Sequence, residues 1–233
     1  IVNPKEPLEN GGVFFPREEY GTGAGPSQGD EELAKLLNQL SKVEADLAKA
    51  KGVAVERGER AKADVIVKLV QFYSKIKDQT NAMNWQENLA DSVSSAYQAD
   101  RFEGGIDYLN RYLLTNKGAP GLDYVKWRTI FSEYAWVNAN GSKKQIDAAQ
   151  EKLNGELKGF QKTFATSKRF APRALVQLAV HYEVEASDEP EKAMEWYREC
   201  LKRFPKTKWG ARSRGAIVRL GSFGKTFPFV GKT

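Results

Sequence analysis

The chain has one cysteine and one histidine in 233 residues. A single thiol, Cys200, rules out an internal disulfide and any zinc site built on cysteines within this chain. It is silent about redox compartment. With His181 as the lone imidazole, a histidine-based metal cluster is excluded as well. A catalytic triad would need His181 beside a serine and a carboxylate, and no spacing supports one. Long apolar runs are also missing. The longest are a handful of residues, far short of the roughly 20 that a membrane-spanning helix needs. No signal peptide is visible, and the chain opens on Ile1 rather than Met, which points to a processed product or a fragment. No stretch reads convincingly as a strand.

What is present is the composition of a folded protein. Hydrophobic residues make up 41% and charged residues 28%, which separates the chain from disordered sequences. Its length suffices for a sizeable core, in one domain or an elongated array. The net charge of +6 is unevenly placed. From Lys158 onward there are 16 Lys and Arg against 7 Asp and Glu, a net of +9, and residues 1–157 carry −3. Such a basic end suits an acidic protein, an anionic lipid surface or nucleic acid; a solvated helix face is the plainer reading.

Periodicity predicts helices throughout. Residues 1–29 are rich in Pro, Gly and Asn and read as an irregular arm, with Val13-Phe14-Phe15-Pro16 as its one apolar patch. Residues 30–79 read as a helical hairpin. Asp30 is the expected cap of its first helix, and Leu33, Leu36, Leu40, Val43 and Leu47 form its stripe. The partner helix runs from about Arg57 to Lys77, with Val65, Leu69, Phe72, Tyr73 and Ile76 along one side. An antiparallel hairpin fits better than a dimeric coiled coil, because the heptad seam lasts under three heptads. Residues 80–221 carry seven more helices. Their stripes include Trp85, Leu89, Val93, Ala96 and Tyr97; then Ile106, Leu109, Tyr112 and Leu113; then Tyr124, Trp127, Phe131 and Tyr134; then Ile146, Ala149, Leu153, Phe160 and Phe164. Residues 222–233 read as a linker toward a possible further domain. Gly231-Lys232-Thr233 has the ending of a phosphate-binding loop, but Thr226 stands where that loop requires glycine.

The sharpest pattern runs from Ala171 to Leu220. Leu175, Leu178, Ala179 and Tyr182 fall at i, i+3, i+4 and i+7 on one helix; Ala193, Tyr197 and Cys200 repeat the spacing on the next, and Pro205 ends it. Small residues among large ones let two helices approach closely. This stretch resembles a tetratricopeptide (TPR) unit, although the turn from Glu185 to Pro190 is about two residues longer than in the usual unit of roughly 34. Gly105, Leu109 and Tyr112, with Leu89 and Ala96 before them, form a partial second match that lacks the closing proline. The resemblance implies an all-α fold of antiparallel helix pairs, stacked as a TPR-like right-handed α-solenoid with irregular N- and C-terminal arms.

A wider resemblance rests on Trp85 to Tyr97, Phe102 to Leu109, Ala193 to Pro205 and the tail from Leu220 to Lys225. Together they are similar to the N-terminal helical region that precedes a TlpA/ResA-like thioredoxin-fold domain in planctomycete-type bacterial proteins. That similarity implies a periplasmic or cell-envelope location and a role in positioning or partner binding. No Cys-x-x-Cys is present, so no redox residue carries over. The function expected is therefore a non-enzymatic module for protein or peptide binding, the N-terminal part of a larger thiol-disulfide oxidoreductase-like protein. A free-standing envelope assembly scaffold is the alternative.

No catalytic, cofactor-binding or metal-binding residue is expected. Cys200 holds a small-residue packing position and reads as a buried, inert thiol, and His181 as a partly exposed helix residue. Glu183, Glu185, Asp188, Glu189, Glu191 and Glu195 crowd a turn, where carboxylates are solvated rather than catalytic. The candidate partner-binding surface is basic: Arg198, Lys202, Arg203, Lys208, Arg212 and Arg219. On the last helix, Lys208, Arg212 and Arg219 are expected opposite Trp209 and Leu220. Anionic-surface or nucleic-acid binding through this helix is a further alternative. Exposed aromatics interleaved with the basic residues are lacking, which argues against nucleic acid.

Overall fold

A computed structural model of the protein describes residues 28–184 and 189–222. The arm, the tail beyond Ser222, and Glu185 and Asp188 of the acidic turn lie outside the described residues. Those described form nine helices and no strand, an all-α arrangement. In order they are α1 (Gln28–Leu47), α2 (Val53–Lys75), α3 (Gln79–Gln98), α4 (Gly105–Thr115), α5 (Leu122–Asn140), α6 (Lys143–Thr163), α7 (Ala171–Val184), α8 (Pro190–Arg203) and α9 (Lys208–Gly221). Two boundaries differ from expectation. Asp30 lies within the first turn of α1 rather than capping it, and α2 starts four residues earlier than predicted, straight after Gly52. By packing the chain falls into two units, which meet in sequence between Ala139 and Asn140.

In the first unit, α1 and α2 form an antiparallel hairpin. Glu44 pairs with Lys62 at 2.8 Å, and Glu32 with Lys75 at 3.8 Å, which fixes the opposed directions. The stripe from Leu33 to Leu47 supplies the α1 residues that turn inward, and α2 packs closely on both α1 and α3. Asp78 caps α3, its carboxylate accepting from the Asn81 backbone N–H at 3.0 Å. Helix α4 then returns antiparallel along α3. Gly105 makes this possible: a Cβ there would stand 3.2 Å from Val93 Cγ1 and 3.3 Å from Tyr97 Cβ. Helix α5 departs from its predicted aromatic stripe. Trp127 is buried, but so are Leu122, Val125, Arg128, Thr129, Ile130 and Ser132, which point in several directions around the helix. Aromatic spacing alone did not mark its buried side.

Side chains also link next-but-one helices in this unit. Tyr108 of α4 donates to Asp64 of α2 at 2.8 Å. Tyr124 of α5 donates to Asp91 of α3 at 2.7 Å, and Arg128 pairs with the same carboxylate at 2.8 Å. Farther along, Trp136 Nε1 donates to Asp100 at 2.7 Å. Residues advance together in each pair, 91 with 124 and 100 with 136, so α3 and α5 run parallel.

In the second unit, Ser142 and Gln145 form a capping box at the start of α6. Helices α7 and α8 pack antiparallel over Leu175, Val176, Ala179, Ala193, Tyr197 and Cys200, all essentially solvent-free, and Ala216 of α9 closes the cluster. Leu178 is equally buried and Tyr182 is half-buried. Thr207 caps α9 by accepting from Gly210 N–H at 3.1 Å. Gly210 is pressed against the backbone of Phe204 and Pro205, so α8 and α9 meet through main chain. Arg173 of α7 lies beside Trp209 of α9, and Glu183 of α7 beside Arg219, so α7 and α9 run parallel.

Candidate functional site

The six basic residues singled out by sequence divide into two groups. Arg198, Lys202, Lys208 and Arg212 are exposed. Arg203 and Arg219 are structural. Arg203 reaches from the end of α8 to Gln161 Oε1 of α6 at 3.1 Å and to the Ala165 carbonyl at 2.7 Å. Gln161 in turn donates to the Ala171 carbonyl at 2.6 Å, so one guanidinium and one amide pin the α6–α7 connection to α8. Arg219 forms an ion pair with Glu183, which also accepts from Tyr197 O–H at 2.8 Å. That carboxylate ties α7, α8 and α9 together. The guanidinium of Arg219, helped by the Tyr197 hydroxyl, holds its pKa below the ordinary carboxylate value.

The placement of α9's cations also differs from expectation. Lys208 and Arg212 do not lie opposite Trp209. Lys208 Nζ sits 5.3 Å from the indole centroid and Arg212 Cζ 6.0 Å, joined by Arg173 from α7 at 5.9 Å. The reason is helical: residues 208 and 212 flank 209 within one turn, and long side chains fold their stems over an adjacent ring while the charge stays in water. The first turn of α9 contains no acidic residue, so its N-terminal dipole adds to this positive field.

Cys200 is fully buried, and its thiol donates to the Pro172 carbonyl at 3.6 Å. Burial pushes its pKa up, which removes thiolate character at neutral pH. His181 is half-buried on α7, edge-on to Tyr182. Among the described residues no group of three or more His, Cys, Asp or Glu could hold a metal ion, and no helix is long and apolar enough to cross a membrane.

Sequence reasoning missed one feature in the first unit. Between α2 and α4 lies an open hollow of about 390 Å³. Arg60, Val67 and Gln71 form its α2 wall, and Tyr108, Arg111 and Asn116 stand on the other side, with Tyr112 and Thr115 between them. No carboxylate lines it. The Arg60 guanidinium rests 5.3 Å over the ring of buried Phe102, and the Tyr108–Asp64 hydrogen bond braces the two walls. The signal available in sequence was the spacing of Arg60, Val67 and Gln71 along one side of α2, which any solvated helix face also shows. Compared with protein-family models, curated proteins and solved structures, the chain gives no match.

Proposed function

We propose that this chain is a non-enzymatic helical-repeat module, stacked in the manner of a right-handed TPR-like solenoid, that binds a protein or peptide partner. One observation carries the reading: within the units α1 and α2, α3 and α4, and α7 and α8 pack antiparallel, while α3 and α5, and α7 and α9, run parallel and are bridged by side chains. Helix pairs stacked in this way within a unit offer a surface to extended ligands. Burial of Leu175, Leu178, Ala179, Ala193, Tyr197 and Cys200, the residues that carry the TPR resemblance, supports it. Screening the purified chain against a displayed peptide library, with hits remeasured by calorimetry, tests the reading. Saturable one-to-one binding is the expected result. Absence of any saturable peptide, or turnover of a substrate, overturns it.

The resemblance to regions preceding TlpA/ResA-like domains supports placing the module in a larger cell-envelope protein of thiol-disulfide oxidoreductase type; a free-standing assembly scaffold is the competing proposal. Reading the gene on both sides of residues 1–233 separates them, since the first requires an export signal upstream and a Cys-x-x-Cys domain downstream. A second reading, anionic-surface binding through α9, draws on the cations around Trp209. It requires affinity that falls steeply with salt.

A further inference from the structure

Two arginines and no carboxylate line the hollow between α2 and α4; Asp64 beside it accepts from the Tyr108 hydroxyl, and neither Arg60 nor Arg111 forms an ion pair among the described residues. We propose that this hollow is a docking groove for an extended acidic peptide, whose carboxylates meet the Arg60 and Arg111 guanidinium groups. The proposal rests on the peptide-binding reading above and names the chemical class of the partner and where it sits.

Shape selects a peptide over a small molecule. The hollow is open rather than enclosed, whereas small-ligand sites bury most of the ligand's surface. Its wall from Arg60 to Gln71 runs about 16 Å at 1.5 Å per residue. That length accepts about five residues of extended chain at about 3.3 Å each. Its chemistry alternates in the way such a chain needs. Arg60 and Arg111 offer forked donors that match a carboxylate. Val67 and the rings of Tyr108 and Tyr112 give apolar wall beside them, and the Gln71 amide and the Asn116 side-chain oxygen are able to pair with peptide backbone, the Asn116 amide nitrogen already donating to the Tyr112 carbonyl and the Thr115 hydroxyl.

The walls are held in advance. Tyr108 spends its hydroxyl proton on Asp64, which fixes α4 against α2. Phe102 seats the Arg60 guanidinium. Arg111 Nε donates to its own helix at the Asp107 carbonyl, 3.4 Å away, and its terminal nitrogens take no carboxylate among the described residues. Pre-set side chains lose less entropy on binding, which favours a weak but specific site.

The test uses the full chain and two labelled pentapeptides, acetyl-Glu-Leu-Glu-Leu-Glu-amide and its all-Gln counterpart, with glutarate as a third ligand. Fluorescence anisotropy reads the peptides, and glutarate is read as a competitor. The expected result is saturable binding of the Glu peptide alone, weakened roughly tenfold or more by Arg60→Glu and by Arg111→Glu. Lys208→Glu, in the other unit, leaves it unchanged. Arg60→Gln is the milder variant, and a melting curve for each variant checks folding. Equal affinity of the Glu peptide for both Arg→Glu variants overturns the groove while leaving peptide binding intact. So do library peptides that bind without competition from the Glu peptide. Glutarate binding as tightly as the Glu peptide replaces the peptide with a small dicarboxylate and overturns the proposal. If no peptide binds at all, this proposal and the reading beneath it fall together.

Discussion

Both units tie helices together through charged groups, with different weights: hydroxyl and indole donors lead in the first, arginines in the second. In residues 28–139, carboxylates serve as acceptors for tyrosine and tryptophan on the next-but-one helix: Asp64 for Tyr108, Asp91 for Tyr124, Asp100 for Trp136. The arginines beside the α2–α4 hollow form no ion pair among the described residues, while Arg128 pairs with Asp91 and Arg101 with Glu59. In residues 140–222, arginines do the bridging, Arg203 across α6, α7 and α8 and Arg219 onto Glu183. Small residues recur in both cores: Ala63, Ala90 and Ala96 beside Ile66, Leu69, Leu89 and Leu109 in the first unit, and Ala179, Ala193, Cys200 and Ala216 beside Leu175 and Tyr197 in the second, where Gly210 also meets main chain. A basic stretch is thus not the same as a basic surface: two of the six candidate cations, Arg203 and Arg219, hold the fold together.

Close packing through small residues leaves no room for error, so the largest effect is expected at Ala193. Ala193→Glu buries a charge in a fully closed contact, and unpaired buried charges are among the few changes that cost upward of about 4 kcal/mol. Loss of cooperative melting, with rapid amide exchange in α7, α8 and α9, is the readout; a melting temperature within a degree or two of wild type would contradict this placement.

Glycines sharpen the contrast between the units. Gly210→Ala drives a methyl into the main chain of Phe204, which cannot step aside, and a loss of about 2 kcal/mol or more follows. Gly105→Ala meets the Val93 and Tyr97 side chains and the Val93 carbonyl at 3.2 to 3.4 Å. Small shifts relieve most of that, and the alanine gains helix propensity, so a change within about 1 kcal/mol is expected in urea titration. Equal costs at both glycines would erase the distinction between main-chain and side-chain contact.

The bridges come next. Arg203→Ala removes charge-assisted bonds to Gln161 and Ala165 and costs about 2 kcal/mol, against about 1 kcal/mol for Tyr124→Phe in the first unit. Chemical denaturation of both variants gives the comparison directly.

Glu183 supplies the smallest and most specific effect. Its folded pKa is depressed, first by Arg219 and then by Tyr197. Its contribution is therefore present above the ordinary carboxylate value and lost as pH falls through the folded value. Glu183→Gln should lower stability by about 1 kcal/mol near neutrality, since Arg219 is half exposed and its pairing is screened. The gap to wild type should close below the ordinary carboxylate range. A gap that is constant with pH would show that Glu183 acts through packing alone.

Much of the helical layout was legible in the sequence, for a physical reason. Helix period is local, and Leu33 to Leu47, Leu89 to Tyr97 and Leu175 to Tyr182 announce it without help from distant residues. The same locality explains the errors. Gly52 starts α2 earlier than the apolar stripe does, and α5 is buried on several sides, so its aromatics were a poor guide to its orientation. The basic surface was half legible. Charge is written in composition, but what a guanidinium touches depends on residues far away in the chain: Arg203 finds Gln161 and Ala165, and Arg219 finds Glu183.

By itself, then, the sequence determined the elements and the exclusions. Period 3.6 throughout made the chain helical, small residues at Ala179, Ala193 and Cys200 marked where helices meet, and one cysteine with one histidine removed thiolate and imidazole metal sites. Tertiary structure decided the rest: which arginines are spent on the fold, that Lys208 and Arg212 gather at Trp209, and that α2 and α4 leave a hollow lined by Arg60 and Arg111. Those outcomes depend on which helix lies beside which, and that is settled by long-range packing no local pattern encodes.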